Sequence, residues 1–90
     1  MTVTAIASLA ARRRAPVAGE IRSVRSYRHP YPRTEIELED KTGVLLLRFM
    51  GRIEVSGLAP GLRVHAEGTP GDERGTLVML NPIYAFDPPE

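Results

Sequence analysis

The sequence predicts a small all-β barrel or sandwich, and three observations carry that prediction. Short segments of alternating apolar and polar residues recur along it, separated by turn residues. One pair of segments, residues 34–39 and 44–50, matches in both its apolar and its charged faces across an Asp-Lys-Thr-Gly turn. The first long segment breaks its alternation beside a glycine, as a strand bending around a barrel corner does.

Taken in order, residues 4–11 are expected to form one or two helical turns, with Ile6 and Leu9 packing on the end of the barrel. Residues 16–27 read as a long first strand. Val17, Gly19 and Ile21 share one face, and Val24 falls out of step with them, which predicts a bulge or a sharp bend. Residues 28–33 hold two prolines and read as a loop, because proline removes a ladder donor. In the second strand Ile36 and Leu38 face inward while Glu35, Glu37 and Glu39 face out. Asp40 and Gly43 stand where a type I turn prefers them. If Glu39 pairs with Val44, then Leu38 meets Leu45, Ile36 meets Leu47 and Thr34 meets Phe49. The same register sets Glu37 opposite Leu46 and Glu35 opposite Arg48 on the outer face, so the hairpin is well specified.

Residues 51–61 hold three glycines and a proline, with a short helical turn expected at 52–55. A fourth strand at 62–68 turns Leu62, Val64 and Ala66 inward. Residues 70–75 read as a hairpin loop, and a fifth strand starts at Thr76 and is interrupted by Pro82. Residues 87–90 are expected to fray. The organisation is a single domain over residues 1–90 with its core in 15–86, and no internal repeat.

Composition narrows the function. The chain has 90 residues, enough for one modest core. With no cysteine it has neither a disulfide framework nor a Cys-based zinc site. No apolar run nears the roughly 20 residues that span a bilayer, and the charges near the N-terminus follow the apolar stretch, the wrong order for a signal peptide. A cytoplasmic location with no membrane partner is the expectation. Residues 12–33 carry seven basic residues and one acid, whereas residues 34–90 carry five basic and ten acidic ones. The overall charge of +1 hides that asymmetry. All basic residues but Lys41 are arginine. GC-rich coding accounts for arginine over lysine, but not for the clustering.

Chemistry-bearing motifs are few. Asp40-Lys41-Thr42-Gly43 matches the phosphorylated tetrapeptide of P-type ATPases, but those enzymes need membrane helices and a large α/β domain, so a hairpin turn is the better reading. His29 and His65 have no third ligand at usable spacing, so no metal site is expected. Ser8, Ser23, Ser26 and Ser56 have no evident base or oxyanion arrangement. No glycine-rich phosphate loop opens a helix. No catalysis and no cofactor are expected.

Four stretches carry a family resemblance: residues 19–24 (GEIRSV), residues 38–49 with their Asp-Lys-Thr-Gly turn, Leu58-Ala59-Pro60-Gly61-Leu62-Arg63-Val64 with Gly68, and Asn81-Pro82-Ile83-Tyr84. Over residues 4–86 the chain resembles the anticodon-binding-type OB-fold family. Within it, the sequence is similar to the wedge domain of the branched-DNA helicase RecG and to short stand-alone OB-fold proteins of actinobacteria. The resemblance implies a five-stranded Greek-key OB-fold barrel. It also implies binding of oligonucleotides across strands two and three, between the loops joining strands one to two and four to five.

Arg25, Tyr27, Arg28, His29, Tyr31 and Arg33 occupy the first of those loops and its flanks. Arginine contacts phosphates and tyrosine offers bases a sequence-tolerant stacking platform. The competing reading is a solvated loop whose tyrosines lie on their own prolines. On the outer face of strand three, Leu46, Arg48 and Met50 would support bases or meet a protein. The neighbouring glutamates oppose phosphate, Glu35 is expected to pair with Arg48, and Arg25 is expected to lie near that pair. Arg12, Arg13 and Arg14 are either solvated or an auxiliary phosphate contact. The leading expectation is a non-catalytic module for single-stranded or branched nucleic acid, DNA ahead of RNA, contacted by Arg25, Tyr27, Arg28, Tyr31, Arg33 and Arg48. The rival expectation is a protein-interaction or homo-oligomerisation module using Leu46, Met50 or an open barrel edge.

Overall fold

The computed structural model describes residues 2–51, 55 and 57–87. Its strands are β1 (Ala15–Tyr27), β2 (Arg33–Asp40), β3 (Gly43–Met50), β4 (Arg63–Gly68), β5 (Pro70–Glu73), β6 (Thr76–Leu80) and β7 (Ile83–Phe86). They form one mixed sheet in the order β5-β6-β3-β2-β1-β4-β7. A single 3-10 turn, Ile6–Ser8, precedes them.

The β2–β3 hairpin has the register its side chains demand. Thr34 pairs with Phe49, Ile36 with Leu47 and Leu38 with Leu45, while Glu35 pairs with Arg48 and Glu37 with Leu46. Asp40 closes the turn by accepting from the N–H of Thr42 at 2.7 Å and of Gly43 at 3.1 Å, and from the Thr42 hydroxyl at 2.5 Å. Its second carboxylate oxygen accepts from the N–H of Ile6 at 2.9 Å. The turn therefore also holds the N-terminal 3-10 turn. Ile6 joins the core there and Leu9 packs against it.

Strand β1 pairs with β4 through its first half and with β2 through its second. Glu20 is the switch point, opposite both Arg63 and Glu39. The expected bulge lies between Ile21 and Ser23, where the β2 register shifts. Gly19 sits beside the switch because nothing larger fits: a Cβ there would lie 2.3 Å from the Glu39 carbonyl oxygen.

Three expectations need correction. First, the sheet has seven strands and is open, not a five-stranded barrel. Residues 70–73 of the expected hairpin loop form β5, paired with β6. Arg74 (φ 54) and Gly75 (φ 89) make a two-residue turn, with both central residues left-handed as the twist of the flanking strands requires. Pro82 then splits the last strand in two, so β6 pairs parallel with β3 and β7 antiparallel with β4. Second, no ladder among the described residues joins β7 to β5 or β6. The covalent link through Asn81 and Pro82 brings the two ends of the sheet together instead. Asn81 adopts φ 47, donates its N–H to the Arg48 carbonyl at 2.7 Å and accepts from the Met50 N–H at 2.8 Å. A Cβ on Gly68 in β4 would lie 2.8 Å from Met79 Cγ in β6, and the Tyr84 ring of β7 packs edge-on against Phe49 of β3, 5.5 Å between centroids. Third, Leu62 is 40% exposed rather than inward. It precedes β4, and its carbonyl accepts from the Ile21 N–H.

The core lies on one face of the sheet. Val17 and Ile21, Ile36 and Leu38, Leu45, Leu47 and Phe49, Val64 and Ala66, and Met79 fill it, with Ile6 and Val55 completing the cluster. The short turn expected at 52–55 lies largely outside the described residues, as do 88–90. Asp87 is described and partly buried: its N–H donates to the Arg63 carbonyl, and its carboxylate contacts Arg63 and His65.

Candidate nucleic-acid interface

Tyr27 ends β1 and Arg33 opens β2, directly paired in the ladder. The loop between them folds around the Arg33 guanidinium, which lies 4.3 Å from the Tyr27 ring centroid and 4.9 Å from that of Tyr31. Arg33 also donates to the carbonyls of His29 at 3.0 Å and Tyr31 at 3.3 Å, and to Glu35 at 3.3 Å. A cation over two aromatic faces is attracted by both ring quadrupoles. Arg33 is thus the internal fastener of the loop. Tyr31, anchored by it, remains 39% exposed. Arg25 and Arg28 are exposed and form no ion pair among the described residues.

One strand further across, Arg48 is almost wholly engaged. Its Nε donates to Glu35 at 2.7 Å, and its two terminal nitrogens donate to the Glu73 carboxylate at 2.6 and 3.2 Å. Its side chain is only 15% exposed. The Glu73 bond, with Glu35 behind it, raises the Arg48 pKa against the opposing effect of burial. In turn, the Arg48 hydrogen bond holds the Glu73 carboxyl below its ordinary value. Glu35 spends its carboxylate on Arg33 and Arg48, so Arg25, its ladder partner on β1, is left outside the network. Of the other outer acids, Glu39 pairs with Arg22 at 3.7 Å and Glu37 accepts from the Ser23 hydroxyl at 2.7 Å.

Between the loop at 28–32 and strand β5 the outer face carries a cleft of about 510 Å³. Tyr31 forms one side, Gly71 to Glu73 the other, and Arg48, Met50 and Leu80 line it between them. Arg12 reaches the same cleft from the N-terminal segment. Its backbone is left-handed (φ 71), and its N–H donates to the Pro70 carbonyl at 2.8 Å.

The six residues singled out in the sequence therefore divide. Tyr27, Tyr31 and Arg33 form one cluster, Glu35 joins it to Arg48, and Arg25 and Arg28 form no ion pair among the described residues. Sequence reasoning did not place Arg12 in the cleft or Glu73 on Arg48. Nothing local marks either, because both depend on how β5 and the N-terminal segment pack. Leu46 and Met50 are half-buried; Leu80 in the cleft is 52% exposed, and Ile83 (68%) and Phe86 (47%) lie on β7 at the other end of the sheet. Among the described residues no group of three or more His, Asp or Glu side chains could hold a metal ion. No helix among them is long and apolar enough to cross a membrane.

No protein-family model and no curated protein sequence matches the chain. Its structure is similar to a chain from the structure of a replication protein A heterotrimer bound to ssDNA, with a TM-score of 0.61 at 14% sequence identity. The match covers 82% of this chain and 58% of that one, so the chain spans little more than half the length of its structural relative. At that identity the likeness speaks for the fold alone: an OB-like all-β fold.

Proposed function

We propose that this chain is a non-catalytic OB-type module that binds single-stranded or branched nucleic acid, DNA ahead of RNA. One observation carries the reading: Arg33 holds Tyr27 and Tyr31, Tyr31 borders a cleft, and the exposed Arg25 and Arg28 of the same loop and its flank form no ion pair among the described residues. A pre-fixed aromatic ring loses little freedom when a base stacks on it, and an unpaired guanidinium is available to a phosphate. In this reading Arg25, Arg28, Tyr27 and Tyr31 are open to the strand, whereas Arg33 and Arg48 reach it only where their carboxylate partners give way. The similarity to the RecG wedge belongs to the same reading and predicts that forked DNA competes with a single strand.

Fluorescence anisotropy of labelled single strands and forks tests the proposal. Binding should be salt-sensitive, and Tyr31→Ala should weaken it roughly tenfold, the scale of one lost base stack. Arg28→Ala should weaken it and flatten its salt dependence. Salt-insensitive binding, or variants that match the wild type, would sink the reading.

A second reading, self-association, is favoured by β7 alone. This edge strand carries no charge, and its Ile83 and Phe86 are exposed, without the charges or prolines that usually guard an edge. It predicts a concentration-dependent mass in sedimentation that Ile83→Glu abolishes. A monomer at every concentration excludes it.

A further inference from the structure

The cleft holds two arginines in opposite states. Arg12 forms no ion pair among the described residues, although its backbone is pinned to the cleft wall at Pro70. A left-handed non-glycine residue costs free energy, so the bond to Pro70 matters in keeping Arg12 there. Arg48 presents both terminal nitrogens to the cleft, and the two oxygens of Glu73 occupy them. A guanidinium fork binds carboxylate and phosphate through the same paired N–H geometry. Glu73 comes from β5, a four-residue strand at the end of the sheet, and its own side chain is 53% exposed. Arg48 is shielded at 15% exposure, but the Glu73 end of the pair is open to solvent, so a competing anion can reach the fork and exchange for that carboxylate. Glu35 stays on Nε through that exchange and keeps Arg48 oriented.

We propose that Arg12 and Arg48 form a phosphate seat for a nucleic-acid backbone, and that Glu73 fills this seat until a bound strand displaces it. The inference rests on the nucleic-acid reading above and adds to it the site of one phosphate and the internal group that competes for it. Displacement removes the Glu73 link between β5 and Arg48, while β6 stays in its ladder with β3.

The test is anisotropy of a labelled oligothymidine across a salt series, on the full chain. Glu73→Gln should bind several-fold tighter than wild type. Its slope of log K against log salt should steepen by about 0.7, the value for one added phosphate contact on a single strand. Adding Arg48→Gln to Glu73→Gln should cancel both changes. Arg12→Ala should cost more affinity in the Glu73→Gln background than in the wild type. Asp72→Asn removes an acid from the same cleft that is not on Arg48, and should leave the slope unchanged. Thermal unfolding of each variant confirms that it is folded. If Glu73→Gln matches the wild type, or its gain survives loss of Arg48, the seat is overturned while Arg28-dependent binding leaves the wider reading standing. If no variant binds the strand, both fall.

Discussion

Arg25 and Arg28 differ from Arg33 and Arg48 only in what faces them. Arg25, Arg28 and Arg33 belong to one basic, aromatic-rich stretch and Arg48 to strand three, where a pair with Glu35 is expected. Arg33 meets Glu35 and two rings and Arg48 meets Glu35 and Glu73, whereas Arg25 and Arg28 form no ion pair among the described residues. The engaged side chains are 15–16% exposed, and the consequence is felt in binding, where an engaged guanidinium must first be freed from its carboxylate. Gly19 makes the opposite case, a residue whose role is legible from one position. The sequence marks it by the broken alternation beside it, and the structure supplies the reason, since the atom a side chain would strike belongs to the Glu39 backbone. Backbone in a paired strand cannot move aside as a flexible side chain can. Gly19→Ala should therefore destabilise the fold by about 3 kcal/mol, at the upper end of overpacking costs. Urea unfolding measures it, and a change within error of zero would mean that β1 can shift away from β2.

At the scale of elements, the β2–β3 hairpin was legible because its determinants are local. A period of two puts Ile36 and Leu38 on one face and the glutamates on the other, and the Asp-x-x-Gly turn sets the register. Strand β5 was not legible. Pro70, Gly71 and Asp72 are poor strand formers, and the ladder with β6 overrides their preference. Asp40 links two elements, and its titration is a handle on that link. Burial pushes its carboxyl up, but the Thr42 hydroxyl and the N–H groups of Ile6, Thr42 and Gly43 outweigh this and hold it below the ordinary 3.8. A carboxyl depressed in the folded state contributes stability in full above its unfolded pKa and loses that contribution as pH falls through the folded value. Asp40→Asn should cost about 2 kcal/mol at neutral pH, the scale of hydrogen bonds to a charged acceptor. The gap from wild type should close as the pH falls through the acid range. Unfolding curves at neutral and acid pH check this, and a gap independent of pH would show that the charge is immaterial.

For the whole molecule, the strong basic bias of residues 12–33 shrinks once the chain is folded. Arg14 pairs with Glu67, Arg22 with Glu39 and Arg33 with Glu35, which leaves Arg12, Arg13, Arg25 and Arg28 outside any ion pair among the described residues. If about three of these meet phosphates, the salt slope on a single strand should be near 2. A slope near 5, as all seven arginines would give, would mean that the internal ion pairs open on binding. The all-β class, the bent first strand, the central hairpin with its register, and the loop where tyrosine and arginine meet could all be read before any fold was known. Those features follow from periodicity, turn chemistry and near neighbours. Long-range packing set the rest: the open sheet of seven strands, the place of Arg12 beside the cleft and the hold of Glu73 on Arg48. The reason is physical: each of these depends on which distant strand edge a segment meets, and the energies that choose it are sums over the packed molecule rather than properties of any short stretch.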